Sequence, residues 1–347
     1  MKKIISIFLG LLLMASVLTG CGNNNAPAND TRLSVVTTIF PQYDWVKEIL
    51  GSNTEHINLT LLMDKGVDLH SYQPTADDII TISTCDMLIY VGGESDNWVE
   101  DVLKEAANKE MVVINLLELL GDGTKREEIV EGMQEEEHHH GNEEDSDHEE
   151  DSDHEEESDH EEDHDHEHEE YDEHVWLSLK NAKLFCNVIK DKLIEMDSDH
   201  KEVYAINAAT YMEKLSVLDE KYQTAVGNAD NNIILFGNRF PFRYLVDDYG
   251  LTYYAAFVGC SAETEASFET IMFLANKVDE LDLSYVLTIE GAKHKIAETI
   301  ISSTQNKDQQ VLLMNSLQST TANDVKNGTT YLSVMETNLE VLKDALK

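Results

Sequence analysis

The segment LSVVTTIFPQYDWVKEILG, residues 33–51, contains the repeating unit on which the fold depends. Its first part, Ser34 to Thr38, is rich in β-branched residues and predicts a strand. The residues from Pro41 to Ile49 predict a helix, and Gly51 follows at the position where helices commonly end. A strand that leads directly into a helix is typical of a parallel sheet covered by helices.

Strands and helices of this kind alternate along most of the chain. Further strands are predicted at residues 57–62, 87–91, 112–116, 232–236, 252–257, 285–289 and 311–314. Helices are predicted at 76–83, 98–107, 176–194, 240–249, 267–280, 292–304 and 330–345. A longer helical stretch at about 200–225 has apolar residues spaced to fill one face. The simplest architecture is an α/β fold of two lobes with parallel sheets, 33–198 and 229–347, joined by one long helix at 199–228.

The first twenty residues have the composition of an export signal. Two lysines precede an apolar run from Ile4 to Leu18 that is shorter than a membrane-spanning helix requires. The run ends in LTGC, residues 18–21, which resembles a bacterial lipobox. We therefore predict a signal peptide at 1–20, lipidation of Cys21 and a flexible tether at 21–32, with a plain secretory signal as the alternative. This predicts an extracytoplasmic protein that a lipid anchors to the bacterial cell membrane.

Residues 123–172 interrupt the α/β pattern with an acidic, histidine-rich insertion. From residue 135 to residue 173 the chain has 24 Asp or Glu and no Lys or Arg. Such a stretch cannot contribute to a core, so we predict a disordered surface loop. Imidazoles beside carboxylates attract zinc, nickel or copper, which predicts weak binding of several ions; the alternative is a solvated acidic spacer. The histidines concerned are His138, His139, His140, His148, His154, His160, His164, His166 and His168.

Net charge and cysteine spacing limit the possible partners and sites. The formal net charge of −43 argues against a nucleic-acid partner, which needs clustered Lys and Arg. Cys85 and Cys186 lie in apolar segments, which predicts core positions. Together with Cys260 they are widely spaced, and this spacing suggests neither a disulfide framework nor a thiolate zinc site.

Two histidines stand at the ends of predicted elements. His70 lies in GVDLHSYQP, residues 66–74, between a strand and a helix. That position is the carboxyl edge of a parallel sheet, where open α/β sheets bind ligands. His174 lies in YDEHVWLS, residues 171–178, just before a helix. Imidazole is the commonest metal ligand, and two histidines from separate loops can meet at one ion.

Both motifs resemble the ligand loops of a known family. From about residue 33 to 346 the chain is similar to the metal-specific solute-binding proteins of ABC transporters. GVDLHSYQPTADD resembles the first ligand loop of that family and EHVWLS the second. Phe40-Pro41 and GTTYLSVMETNLEVL, residues 328–342, extend the resemblance, and the acidic histidine-rich insertion points to the zinc branch. The resemblance implies a metal held between two lobes that a rigid helix connects.

The resemblance also implies a function. The chain would capture a divalent ion, Zn²⁺ or alternatively Mn²⁺, and deliver it to an ABC permease and its ATPase subunit for import. We expect a monomer that is not an enzyme. The competing classes are an extracytoplasmic metallohydrolase and a metal-buffering or adhesin-like surface lipoprotein. The sequence shows no HExxH motif in a predicted helix, since its one match, residues 160–164, lies in the acidic insertion. It also shows no GxSxG elbow and no glycine-rich phosphate loop, the other usual signals of such enzyme sites.

The second lobe departs from the family pattern. Arg239 stands where relatives have a histidine ligand, and Asn315 stands where manganese-type relatives have an aspartate. A guanidinium cannot bind a cation, and a neutral amide is a poor zinc ligand. We predict that Glu290, at the end of a strand, completes the site with the two histidines; an ion pair between Glu290 and Arg239 is the alternative. The further candidates are His294, Glu263 and Glu265.

Overall fold

The computed structural model describes residues 32–52, 54–134, 170–261, 265–291 and 293–347. The predicted signal peptide, Cys21, the nine histidines of the acidic insertion and Glu263 lie outside these residues. All elements described below belong to one unit, residues 33–347.

The first lobe is built on a parallel sheet of four strands. The strands are β1 (Leu33–Thr37), β2 (Ile57–Leu61), β3 (Met87–Tyr90) and β4 (Val112–Asn115). Their order in the sheet is β2-β1-β3-β4. The helices of this lobe are α1 (Phe40–Leu50), α2 (Ala76–Thr84), α3 (Asn97–Lys104), α4 (Leu116–Leu120) and α5 (Leu179–Met196).

The turn from β1 to α1 shows how the quoted segment folds. The backbone N–H groups of Thr38 and Ile39 donate to Oε1 of Gln42 at 3.0 and 3.2 Å. These bonds close the start of the helix, and Pro41 fits its first turn because that position needs no N–H donor. The helix ends at Gly51, whose φ of 60° is a conformation that glycine adopts at little cost. The predicted strand and helix are therefore confirmed.

The second lobe repeats the arrangement of the first. Its strands are β5 (Ile233–Phe240), β6 (Thr252–Val258), β7 (Tyr285–Thr288) and β8 (Gln310–Leu313). They form a parallel sheet in the order β6-β5-β7-β8, so in both lobes the first strand lies between the second and the third. Its helices are α7 (Arg243–Tyr249), α8 (Phe268–Glu280), α9 (Lys295–Ser303), α10 (Ala322–Lys326) and α11 (Tyr331–Ala345).

One long helix, α6 (Lys201–Gly227), runs between the two groups of elements. Its 27 residues give a length of about 40 Å at about 1.5 Å per residue. The predicted apolar face is buried, and it consists of Tyr204, Ala208, Tyr211, Leu215, Leu218 and Tyr222. The predicted α/β fold of two lobes with one long helix is confirmed. None of the helices in the described ranges has both the length and the apolar character needed to cross a bilayer.

The lobes are held together by more than this helix. The last helix, α11, returns to the first lobe, where the Tyr331 N–H donates to the Asp44 carboxylate at 2.8 Å. The Tyr331 ring packs edge-on against Trp45 with 5.3 Å between centroids, and its hydroxyl donates to the Trp176 carbonyl at 2.7 Å. The two lobes therefore share a core at their junction. The sequence predicts only the long helix that connects them.

The predicted acidic loop, 123–172, includes residues 124–134, which we call the strap and which the structure describes. Two apolar side chains of the strap, Val130 and Met133, pack against the core, whereas Ile129 is exposed. The strap crosses to the second lobe, where the Lys125 N–H donates to the Tyr244 hydroxyl and the Gln134 N–H to the Ala256 carbonyl, both at 2.9 Å.

The buried carboxylate of Asp44 provides a test of the junction. Burial raises the pKa of Asp44 from 3.8 to about 6, against the opposing effect of the Tyr331 hydrogen bond. The folded protein thus holds this proton more tightly than the unfolded chain. The contribution of Asp44 to the free energy of unfolding should therefore fall as pH rises from 3.8 to about 6.

Asp44→Asn keeps the acceptor for Tyr331 but removes this titration. Relative to wild type, its free energy of unfolding should rise by roughly 3 kcal/mol over the same pH range, since one pKa unit is worth about 1.4 kcal/mol. Urea unfolding of the metal-free proteins at pH 4 to 7 measures the difference. Parallel pH profiles for the two proteins would contradict the assignment.

Candidate metal centre

His70 lies in a short 3₁₀ turn, Leu69–Ser71, beyond the carboxyl end of β2. The turn forms because the Asp68 carboxylate accepts the His70 N–H at 3.0 Å. The imidazole places Nδ1 2.8 Å from the Ser95 hydroxyl and 3.4 Å from the Glu173 carboxylate. Its Nε2 is left facing the cleft between the lobes.

His174 precedes a second 3₁₀ turn, Val175–Leu177, and its side chain is fully buried. The Asp172 carboxylate holds it twice, by accepting the backbone N–H at 2.8 Å and by lying 3.0 Å from Nδ1. Beyond it, the Trp176 indole N–H donates to the Ser316 carbonyl of the second lobe at 2.9 Å. The sequence prediction that both histidines lie in separate loops at one cleft agrees with this arrangement.

The two imidazoles face each other through their Nε2 atoms, which lie 3.1 Å apart. An ionised carboxylate only accepts hydrogen bonds, so Asp172 assigns the His174 proton to Nδ1. Oε2 of Glu173, which has no hydrogen-bond partner among the described residues, lies 3.4 Å from Nδ1 of His70 and favours Nδ1–H there as well. Both Nε2 atoms then present lone pairs to the same point, which is the arrangement of two histidines that share a cation.

Burial also affects the protonation of His70. Burial lowers the pKa of His70 well below its usual value, and electrostatic interactions with His174 and Arg239 lower it further. Burial also raises the pKa of Glu173, against the opposing effect of its bonds with Ser95. The site is thus arranged to keep His70 neutral, which is the form that binds metal.

The second lobe contributes Cys260 to the same point. Cys260 follows β6, and its sulfur and the histidine nitrogens all lie within 4.8 Å of one another. Burial raises the pKa of its thiol well above the usual value, and nearby carboxylates, Glu127 foremost, raise it further. The cysteine spacing suggests no thiolate zinc site, yet the fold brings Cys260 close to two histidines that are distant in sequence.

The approach of the second lobe requires a glycine. Gly259 packs directly against the His174 ring. A Cβ atom at this position would lie 3.0 Å from Cε1 of His174 and 2.9 Å from the Phe240 carbonyl oxygen. A side chain at this position would clash with the His174 ring, so a glycine is needed where the second lobe approaches it.

Glu290, the third ligand predicted from sequence, is not brought to the histidine pair. Its Oε1 accepts from the Ser316 hydroxyl at 2.6 Å and the Gln318 N–H at 3.1 Å, and its Oε2 accepts from the Ser316 N–H at 2.7 Å. The carboxylate thus orders the turn after β8. Its role as a ligand stays a prediction that this geometry does not favour.

The other predicted candidates also lie apart from the histidine pair. His294 begins α9 and places Nδ1 3.5 Å from the Thr288 hydroxyl. Glu265 is exposed. The Asn315 side chain accepts the Leu317 N–H at 2.7 Å and so belongs to the turn after β8.

Arg239 places a fixed positive charge beside the histidine pair. The proposed ion pair with Glu290 is wrong, because the guanidinium pairs with Asp68 across the cleft. It also donates to Gln318 Oε1 at 3.2 Å and to the Ser261 carbonyl at 3.4 Å. Asp68 therefore both shapes the His70 turn and neutralises the cation nearest to it.

Fold and site together define a two-lobed α/β protein whose cleft holds a histidine pair. The family described as ZnuA, zinc-uptake complex component A periplasmic, matches residues 35–345, and the chain belongs to this family. The chain is 32% identical over 343 residues to zinc-binding lipoprotein AdcA of Streptococcus pneumoniae, covering 99% of this chain and 61% of that protein. It thus spans about three fifths of that relative's length.

Other relatives match along their whole length. The high-affinity zinc uptake system protein ZnuA of Bacillus subtilis is 29% identical over 344 residues, which is 97% of each chain. The crystal structure of the Zn(II)-bound ZnuA-like domain of Streptococcus pneumoniae AdcA is 28% identical, with a TM-score of 0.65 over 91% of this chain and 99% of that one. The metal-dependent lipoprotein YcdH of Bacillus subtilis gives 25% identity and a TM-score of 0.67 over the same shares.

The Asp68–Arg239 pair predicts an effect on metal affinity that a double mutant can isolate. Asp68→Asn keeps the acceptor for the His70 N–H but leaves the guanidinium uncompensated. Affinity for a divalent ion should fall by about tenfold, about 1.4 kcal/mol, which is within the range for one nearby charge. Adding Arg239→Gln should restore most of the loss. Titration with Zn²⁺ against a competing chelator measures both, and a loss that persists in the double mutant would show that Asp68 acts in another way.

Proposed function

We propose that the chain captures Zn²⁺ in the cleft between its lobes and presents it to an ABC-type permease and ATPase for import. The observation that carries this proposal is the pair of buried Nε2 atoms, 3.1 Å apart, each on an imidazole oriented by a carboxylate. Carboxylate partners of this kind fix the tautomer of metal-binding histidines and increase their basicity. The pair therefore suits a divalent cation.

Zinc is the cargo that the ligand chemistry and the relatives both support. Imidazole suits zinc, whereas manganese prefers carboxylate, carbonyl and water oxygens. The names of the relatives in Streptococcus pneumoniae and Bacillus subtilis describe zinc binding and zinc uptake. The family is described as a component of an uptake complex, which is a binding role, and we propose no catalytic step.

The remaining predictions from sequence complete this proposal. Lipidation of Cys21 would anchor the protein outside the membrane, in keeping with relatives that are named lipoproteins. The protein would act as a monomer beside the permease. The acidic histidine-rich segment would bind several ions weakly and raise their concentration near the cleft.

Zinc affinity of histidine variants tests the site. The histidines of the acidic segment are first replaced by asparagine, which leaves the cleft as the tight site. In that background His70→Ala and His174→Ala should each weaken zinc binding about tenfold or more, because each removes one of the few protein ligands. Competition with a zinc chelator gives the affinities.

His294→Ala is the matched control, because it removes an imidazole of the second lobe that lies outside the histidine pair. It should leave zinc affinity unchanged. Unchanged affinity in both His70→Ala and His174→Ala would refute the site. For the transport role, growth of the producing cells under zinc limitation should require both histidines, and normal growth of both variants would count against import.

A further inference from the structure

We propose that Cys260 is a metal ligand, so that the cargo is held by two imidazoles of the first lobe and one thiolate of the second. The inference rests on the proposed function, because it concerns the same cleft. It gives that cleft a ligand set, His70, His174 and Cys260, in which the metal itself joins the two lobes.

The distances fit a zinc ion with little movement. Zinc binds histidine nitrogen at about 2.0–2.1 Å and thiolate sulfur at about 2.3 Å, so tetrahedral donors lie about 3.3–3.6 Å apart. The two Nε2 atoms lie 3.1 Å apart, and one nitrogen of each histidine and the Cys260 sulfur all lie within 4.8 Å of one another. In the described part of the chain these are the residues whose ligand atoms come together in this way.

Two contacts fix Cys260 in its place. The Glu127 carboxylate of the strap accepts the Cys260 N–H at 2.8 Å. On the other side Gly259, having no side chain, lets the backbone approach the His174 ring. The position of the thiol is therefore set by the first lobe on both sides, which is what a ligand shared between lobes requires.

Three other polar side chains of the second lobe, among the residues that the structure describes, already have partners. Arg239 is a cation and pairs with Asp68. Gln318 accepts from Arg239 through Oε1, and Glu290 accepts three hydrogen bonds from the turn after β8. Among the described residues of this lobe, Cys260 is thus the donor that lies closest to the histidine pair.

A thiolate also sets the class of ion. Coordination breaks the S–H bond, forms a sulfur–metal bond and releases the proton to solvent. Sulfur favours zinc and other late or soft divalent ions over manganese, magnesium and calcium. Three protein ligands leave one tetrahedral position for water, an open position that suits a cargo which must later leave.

Co²⁺ reports on sulfur ligands directly and serves as the probe. A cobalt–thiolate bond gives a charge-transfer band in the near ultraviolet, which nitrogen and oxygen ligands do not give. Residues 135–169 contain no cysteine, so the acidic segment cannot produce it. The full chain is titrated in a phosphine reductant as wild type, Cys260→Ala, Cys260→Ser and Cys85→Ala, the last being a matched control at a buried cysteine of the first lobe.

We expect the band in wild type and in Cys85→Ala, saturating at one equivalent, and no band in either Cys260 variant. Zinc affinity should fall about tenfold or more in the Cys260 variants, with little change for Mn²⁺. The wild-type spectrum does not depend on the folding of any variant. A wild type without the band, or a band that survives Cys260→Ala, would overturn the inference.

The outcomes separate this inference from the proposed function. If wild type lacks the band but His70→Ala abolishes tight binding, the cleft binds metal and only the role of Cys260 is refuted. If neither His70→Ala nor Cys260→Ala changes the affinity for the first ion, both proposals are refuted.

Discussion

Two imidazole nitrogens that face each other across 3.1 Å in a buried cleft are the constraint to which the surrounding structure is fitted. Desolvated lone pairs at that distance repel each other unless a cation or a proton lies between them. The fold imposes the arrangement by holding the far nitrogen of each ring, with Asp172 behind one and Ser95 and Glu173 behind the other. The first lobe thus supplies a rigid half-site, and the second lobe closes it through Gly259 and Cys260.

Much of this could be read from the sequence because it depends on local pattern. The alternation of β-branched runs and amphipathic segments predicts the two parallel sheets, and the apolar spacing predicts the buried face of α6. His70 and His174 could be predicted because each stands at the end of an element and because the motifs around them resemble the ligand loops of a known family. These features need only the residues that lie next to one another along the chain.

The rest depends on contacts between distant segments. Cys260 has no metal-ligand spacing to either histidine, so only the folded chain brings the three together. The position of Glu290 at the end of a strand predicts a metal ligand, but its carboxylate accepts three hydrogen bonds from the turn after β8. Arg239 pairs with Asp68 rather than with Glu290 because Asp68 and Arg239 lie on opposite walls of the same cleft. The composition of this region likewise does not predict the contacts of the strap, because the acidic residues that follow outnumber its few apolar residues.

The strap also limits how the two lobes can move. By sequence it belongs to the first lobe, yet its hydrogen bonds end on Tyr244, Ala256 and the backbone of Cys260. A motion that moves Cys260 away from the histidines must therefore move the strap as well or break its contacts with one lobe. Rotation of the lobes about the long helix would have to break these hydrogen bonds one after another. Separating Cys260 from the histidines would therefore also require breaking the bonds of the strap, so a partner that binds the strap would act on the cleft from a distance.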